Sequence, residues 1–334
     1  MTCLLDTPNE VLLQIVNQLV HADIESFALS CKRIYSLSES AILNHREKNT
    51  KYENVTCGEV RIDGRRQIDD GFHPTLLLRD FLMDDSLCLY PLIFRAGDCS
   101  YFSEQIMVEV GTALGDLEDV IRLKIQESPY IILGKKGDWV KKVLAGHTES
   151  TVALVLSLLL NVKNVYLSGL SLEYSHLESV LARISTLSHS NRKRRHPLSK
   201  LSHGFFDETL PSTILGFAVL PSIRSLHGKQ IFGFEWNAKL DRKSSVRKIV
   251  LDDSTLDFTT LNNLVTHFHG LKFCFDGRVN SFKPVSYSRV YTNLSREPGS
   301  YIFERILEET GKDRVSRNGR AARKARVKDC RESA

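Results

Sequence analysis

The chain has 334 residues, 42% hydrophobic and 25% charged, the balance of an ordinary soluble protein able to bury a core in one or two domains. Seven cysteines, at 3, 31, 57, 88, 99, 274 and 330, are odd in number and form no Cys-x-x-Cys pair. That excludes a disulfide framework and a zinc site of the usual spacing, and it fits a reducing intracellular compartment, cytoplasmic or nuclear. The net charge of +5 is uneven, since residues 311–334 carry nine Lys or Arg against three acids and leave the remainder near −1. The basic balance therefore belongs to a tail.

Along the chain, Thr7-Pro8-Asn9-Glu10 predicts a helix start, with Thr7 as cap, Pro8 in the first turn and Glu10 closing a capping box. The helix carries Val11, Leu12, Leu13, Ile15, Val16, Leu19 and Val20, an apolar arc wider than the stripe of a surface helix. The acids around Pro8 and the lack of a basic region before it predict no signal peptide. A second start at Asp23 places Ile24, Phe27 and Ala28 on one face, and a third helix from about Cys31 points Ile34, Leu37 and Ile42 inward. Three helices of this length lie near the size below which a domain struggles to bury its surface. The leftover apolar face docks either on another protein or on the rest of this chain, and the pattern leaves both open.

The order Leu5, Pro8, Glu10-Val11-Leu12, Ile15, Leu19, Asp23-Ile24, Phe27, Cys31-Lys32 and Leu37 resembles the F-box, in the version at the N-terminus of many fungal proteins. Thr7, where a leucine often precedes the proline, and Ser30, where an aliphatic residue is usual, depart from it. The resemblance implies that residues 1–50 form a three-helix module binding a Skp-type adaptor and, through it, a cullin-based ubiquitin ligase. Leu5, Pro8, Val11, Leu12, Ile15, Leu19, Ile24, Phe27 and Cys31 would then lie at or directly behind the adaptor interface.

Over residues 51–285 a short motif recurs, with apolar residues at offsets zero, three and five, which predicts a turn feeding a strand. Leu89, Leu92 and Phe94 fit, as do Val120, Leu123 and Ile125, then Val162, Val165 and Leu167, then Val246, Ile249 and Leu251. Ile223 and Leu226 fit two places, with Gly228 in the third. Helical spacing appears between them in Leu76, Leu77, Phe81 and Leu82, in Val152 to Leu160, and in Leu261, Leu264, Val265 and Phe268. The units Val246–Leu271 and Asn161–Leu170 resemble degenerate leucine-rich repeats, which implies a stacked solenoid. Starts separated by about 23 to 60 residues have no fixed period, so an ordinary α/β domain of βαβ units stays open as the other reading. Ser185 to Ser202, with Arg192-Lys193-Arg194-Arg195, predicts a mobile basic loop. From 286 to 334 the repeat signal stops, leaving one amphipathic helix over Tyr301–Glu309 and a basic tail expected to be disordered.

No phosphate-cradling loop, nucleophile elbow or helical His-Glu-x-x-His occurs, so no catalytic, cofactor-binding or metal-ligating residue is predicted. His267 and His269 alternate without a third ligand, and the pairs Asp69-Asp70, Asp84-Asp85 and Asp252-Asp253 sit where Asp caps helices and closes turns. Trp139 and Trp236 are isolated core candidates. The basic runs lack interleaved aromatics, so no base-stacking surface for nucleic acid is expected. The longest apolar run, Thr151 to Leu160, is about half a membrane span. The expected architecture is α/β, a small N-terminal F-box-like module followed by an irregular leucine-rich-repeat-like solenoid. The expected function is that of a non-catalytic receptor joining an unidentified protein substrate to the ligase; the other reading is a scaffold with no ligase role.

Overall fold

Two helices, α1 (Asn9–Gln18) and α2 (His21–Ala28), lie against a longer third, α3 (Lys32–Tyr52), in a computed structural model that describes residues 6–19, 21–62, 65–67, 72–99, 102–169, 175–190, 195–233, 244–257, 272–280 and 286–293. The expected capping box is not what starts α1: Pro8 occupies the cap and no side chain caps the helix. Arg33 of α3 instead ties down the chain leading into α1, donating to the Thr7 carbonyl at 2.9 Å and to Asn9 Oδ1 at 2.6 Å. Leu12, Val16, Ile24, Ala28, Ile34 and Ile42 fill the small interior. Arg46 of α3 binds the Glu25 carboxylate of α2 at 2.6 Å, and that hydrogen bond holds the carboxyl below its ordinary range.

The C-terminal half of α3 belongs to the rest of the molecule. Tyr52 donates its hydroxyl to Asp80 at 2.7 Å, Lys48 pairs with Asp84 at 2.7 Å, and His45 Nδ1 lies 3.1 Å from the Tyr90 hydroxyl. One helix therefore runs past residue 50 and joins module to body.

The body begins with β1 (Asn54–Cys57), a hairpin of β2 (Val60–Ile62) and β3 (Arg65–Gln67), and helix α4 (Pro74–Met83). Strand β4 (Ile93–Ala96) follows, then α5 (Glu104–Asp116), α6 (Glu118–Glu127), α7 (Lys136–Leu144) and α8 (Thr148–Leu156). Next come β5 (Asn164–Ser168), α9 (Ser175–Ser190), β6 (His203–Asp207), α10 (Pro211–Ala218), β7 (Ser225–Lys229) and the two-residue β8 (Phe232–Gly233). Strands β9 (Lys248–Asp257), β10 (Lys272–Asn280) and β11 (Ser286–Asn293) end the described chain.

The main sheet runs in the order β1-β4-β5-β6-β7-β9-β10, all parallel, with β11 antiparallel at the edge and β8 paired on β9. Each new strand of this path lies beside the one before it, and the order never reverses as it does in a doubly wound sheet. Right-handed crossovers that always step the same way leave their helices on one face. Accordingly α4 packs on α8, α8 on α9 and α9 on α10. Side chains alternate to match: Val165 and Leu167 of β5 are buried under the helices, while Asn164 and Tyr166 are half-buried on the other face. This is a mixed helix-and-strand protein with a parallel sheet; the repeat class expected for it is not established by strand order.

Several expectations change. Val120, Leu123 and Ile125 lie on helix α6, not a strand: Ile121 and Ile125 are buried one turn apart, Val120 and Leu123 are exposed, and Glu118 pairs with Arg122. A three-residue apolar step suits either structure; the core takes up Ile121 and Ile125 four residues apart, which is helical spacing, and the exposed i,i+4 ion pair adds only a little. The loop expected over 185–202 is helical to Ser190, and beyond Arg195 it is anchored, with Leu198 and Leu201 buried and the Leu198 amide bound to the Leu159 carbonyl at 2.9 Å. Strand β11 occupies residues where the pattern was expected to stop. Asp84 does cap a short turn, accepting from Ser86 N at 3.0 Å, and Trp139 is buried. Gly228 is buried in β7, where a Cβ would lie 2.7 Å from both Ile231 and Leu251, so neighbours fill the third place of the motif. The helix expected near Leu261–Phe268, the Tyr301–Glu309 helix, Asp69-Asp70, His267, His269, Trp236, residues 191–194 and the basic tail lie outside the described residues.

Glu149 of α8 is 1% exposed, and its Oε1 accepts from the backbone amides of His176 at 3.1 Å and Leu177 at 2.6 Å, fastening the start of α9. His176 lies edge-on against Trp139, 3.1 Å from Asp138, and burial lowers its pKa, which leaves it a poor cationic partner for Glu149 Oε2 at 3.5 Å. Burial pushes the Glu149 carboxyl up to about 7. Between its ordinary value and 7 the folded state holds a proton that the unfolded chain has released, so this stability is full in acid and lost as pH rises through that window. Glu149→Gln keeps the accepting oxygen without the ionisation, and it is expected to stabilise the protein above pH 7 by about 1–3 kcal/mol. Thermal melts of both proteins at several pH values check this; parallel pH profiles would contradict it.

Candidate docking site on the N-terminal helices

Pro8, Val11, Ile15 and Leu19 follow one another at three- and four-residue steps and so form one stripe along α1. Pro8 is exposed, Val11 is 40% exposed, and Ile15 and Leu19 are half-buried. Leu12 and Ile24 are 1% and 8% exposed and sit inside the module, where they shape the stripe from behind. Phe27 is half-buried at the end of α2. Cys31, also half-buried, caps α3, its Sγ accepting from Ile34 N at 3.4 Å. Leu5 lies outside the described residues.

Four apolar side chains of the module beyond the expected set are also uncovered: Leu13, Tyr35, Leu43 and, at 76% exposure, Leu29. Leu13 was foreshadowed by the over-wide arc of α1. Leu29, the last apolar residue before a turn, had no periodic signal around it. The helices α1 and α2 pack on α3, and α3 carries the attachment to the sheet. The apolar arc of α1 is thus only partly used within the chain.

Among the described residues, no three His, Cys, Asp or Glu side chains come together to hold a metal, and no helix is long and apolar enough to cross a membrane. A small helical module with a partly uncovered apolar stripe, held to a sheet body by a shared helix, has the make-up of a docking element. Residues 5–46 match the F-box domain, so the chain carries an F-box at its N-terminus. F-box domains in general bind Skp-type adaptors, which points to a role in ubiquitin ligation. No curated protein and no solved structure matches the chain.

Proposed function

We propose that this protein is a substrate receptor of a cullin-based ubiquitin ligase, with residues 1–50 as the adaptor module, 51–285 as a leucine-rich-repeat-like recognition domain and 286–334 as a C-terminal extension. Pro8, Val11, Ile15 and Leu19 make the adaptor contact together with Leu5, Phe27 and Cys31, and Leu12 and Ile24 support the module from within. The observation that carries this reading is the partly uncovered stripe on α1 within the matched F-box region. The one-way strand order supports a repeat-like body, since stacking each unit on its neighbour produces such a progression. The chain itself does no chemistry. Holding a substrate beside a ubiquitin-charged enzyme raises effective concentration, and proximity is the whole of its catalytic contribution.

Co-expression with a Skp-type adaptor is expected to yield a complex that stays together through gel filtration. Separate elution of the two proteins would leave the scaffold reading in its place.

A further inference from the structure

The face of the sheet opposite the helices carries an ordered stack. The paired residues Arg95, Tyr166, Phe205 and His227 stand side by side on β4, β5, β6 and β7. The Arg95 guanidinium lies 5.1 Å from the Tyr166 ring centre. Tyr166 and Phe205 stack at 4.3 Å with their planes 5° apart. His227 follows Phe205 at 5.9 Å and is held by Asp252, 3.2 Å from its Nε2. All four stack residues are half-buried, and among the described residues the buried Arg95 Nε has no hydrogen-bond partner.

A basic rim runs just before β5, β7 and β9. Ser202 N bonds to the Lys163 carbonyl, Arg224 N to Ser202 and Arg247 N to Arg224, so these residues line up across neighbouring strands. Lys163, Arg224 and Arg247 are exposed. Among the described residues no carboxylate pairs with any of the three or with Arg95; Arg224 reaches only the Ser245 carbonyl, at 3.3 Å. The acids Asp207 and Asp252 stand at the other end of the face, and Asp252 is engaged by His227.

We propose that this rim and stack form a docking face for an acidic, extended peptide segment of a partner protein. The inference deepens the receptor reading, on which its biological sense rests, by naming the face and the chemistry of the substrate. Charge complementarity selects the occupant: among the described residues the exposed Lys163, Arg224 and Arg247 have no carboxylate partner, so an acidic segment would supply the missing counter-charges. Adjacent strands lie about 4.8 Å apart, so Lys163 and Arg224, two strands apart, and Arg224 and Arg247, one strand apart, span a line that a few residues of an extended peptide laid across the strands can cover. A single-stranded nucleic acid fits less well. Bases stack on ring faces, and here Tyr166 and Phe205 cover one another while Arg95 and His227 flank the outer sides.

The test pans a library of random dodecapeptides against the purified full-length protein. Enrichment of Asp and Glu is expected, and a recovered peptide should lose about tenfold or more in affinity to the double variant Arg224→Glu with Arg247→Glu, and less to Arg224→Gln with Arg247→Gln. Both variants change exposed rim residues, and thermal melts confirm that they fold. Peptides without acidic bias, unchanged affinity in the charge-reversed variant, or displacement of the peptide by labelled single-stranded DNA would each overturn the proposal. Adaptor co-purification measured on the same variants separates the two readings: it is expected to persist, and adaptor failure alongside successful peptide selection would sink the receptor and leave the docking face standing.

Discussion

Changing Val11 and Ile15 together to Asp is expected to abolish adaptor binding while the body of the protein stays folded. Both side chains lie on the outer stripe of α1, one exposed and one half-buried, so neither is part of the module's interior. Burying an aliphatic side chain in an interface contributes about 1.5–3 kcal/mol, and a carboxylate in its place adds a desolvation cost. Two such changes amount to at least about 4 kcal/mol, or roughly a thousandfold in affinity. Leu12→Asp makes the informative contrast: a carboxylate at a position 1% exposed disrupts the module itself, so binding and local structure are lost together. Val11→Asp alone covers the case in which the double variant fails to fold. A chain with Val11→Asp and Ile15→Asp that still bound adaptor with native affinity would place the interface elsewhere.

The second large effect is structural. Gly97, at the end of β4, lies under the turn that launches the β2–β3 hairpin, and a Cβ there would meet the Glu59 carbonyl oxygen at 1.8 Å. That carbonyl accepts from Asp98 N at 3.1 Å, Glu59 N donates to Asp98 O at 2.8 Å, and Gly97 N donates to Cys57 O at 2.8 Å. The obstacle is backbone held by reciprocal hydrogen bonds, so it cannot swing aside as a flexible side chain would. Gly97→Ala should therefore cost about 3 kcal/mol, at the top of the range for overpacking, and lower the melting temperature by roughly 6–12 °C. Gly111 of α5 meets nothing within 4 Å, and Gly111→Ala is expected instead to stabilise slightly, by about 0.4–1 kcal/mol. Equal melting temperatures for the two alanine variants would contradict the packing described around Gly97.

The N-terminal module was legible in the sequence because its signals are local. Leu12, Val16, Ile24, Ala28 and Ile34 follow helical spacing, and these side chains do face inward. The tie from Arg33 to Thr7 and Asn9 was not legible, because Arg33 comes from another helix. In the body, β4, β5, β7 and β9 were foreseen from an apolar triplet in which alternate residues enter the core. Strand β6 escaped because Gly204 takes a core-facing place where the pattern required a large residue. The basic rim escaped for a different reason. Lys163, Arg224 and Arg247 are scattered in sequence, and only the sheet register aligns them. Counting charge by segment assigned the basic balance to the tail and could not detect a line assembled across strands.

Amide hydrogen exchange on the full-length protein, with and without a Skp-type adaptor, tests the central claim most directly. The amides of Val11 to Leu19 are expected to gain protection on adding adaptor, while those of β5, β6 and β7 stay unchanged. Strong protection of that segment before any adaptor is added, with no further gain afterwards, would contradict the account.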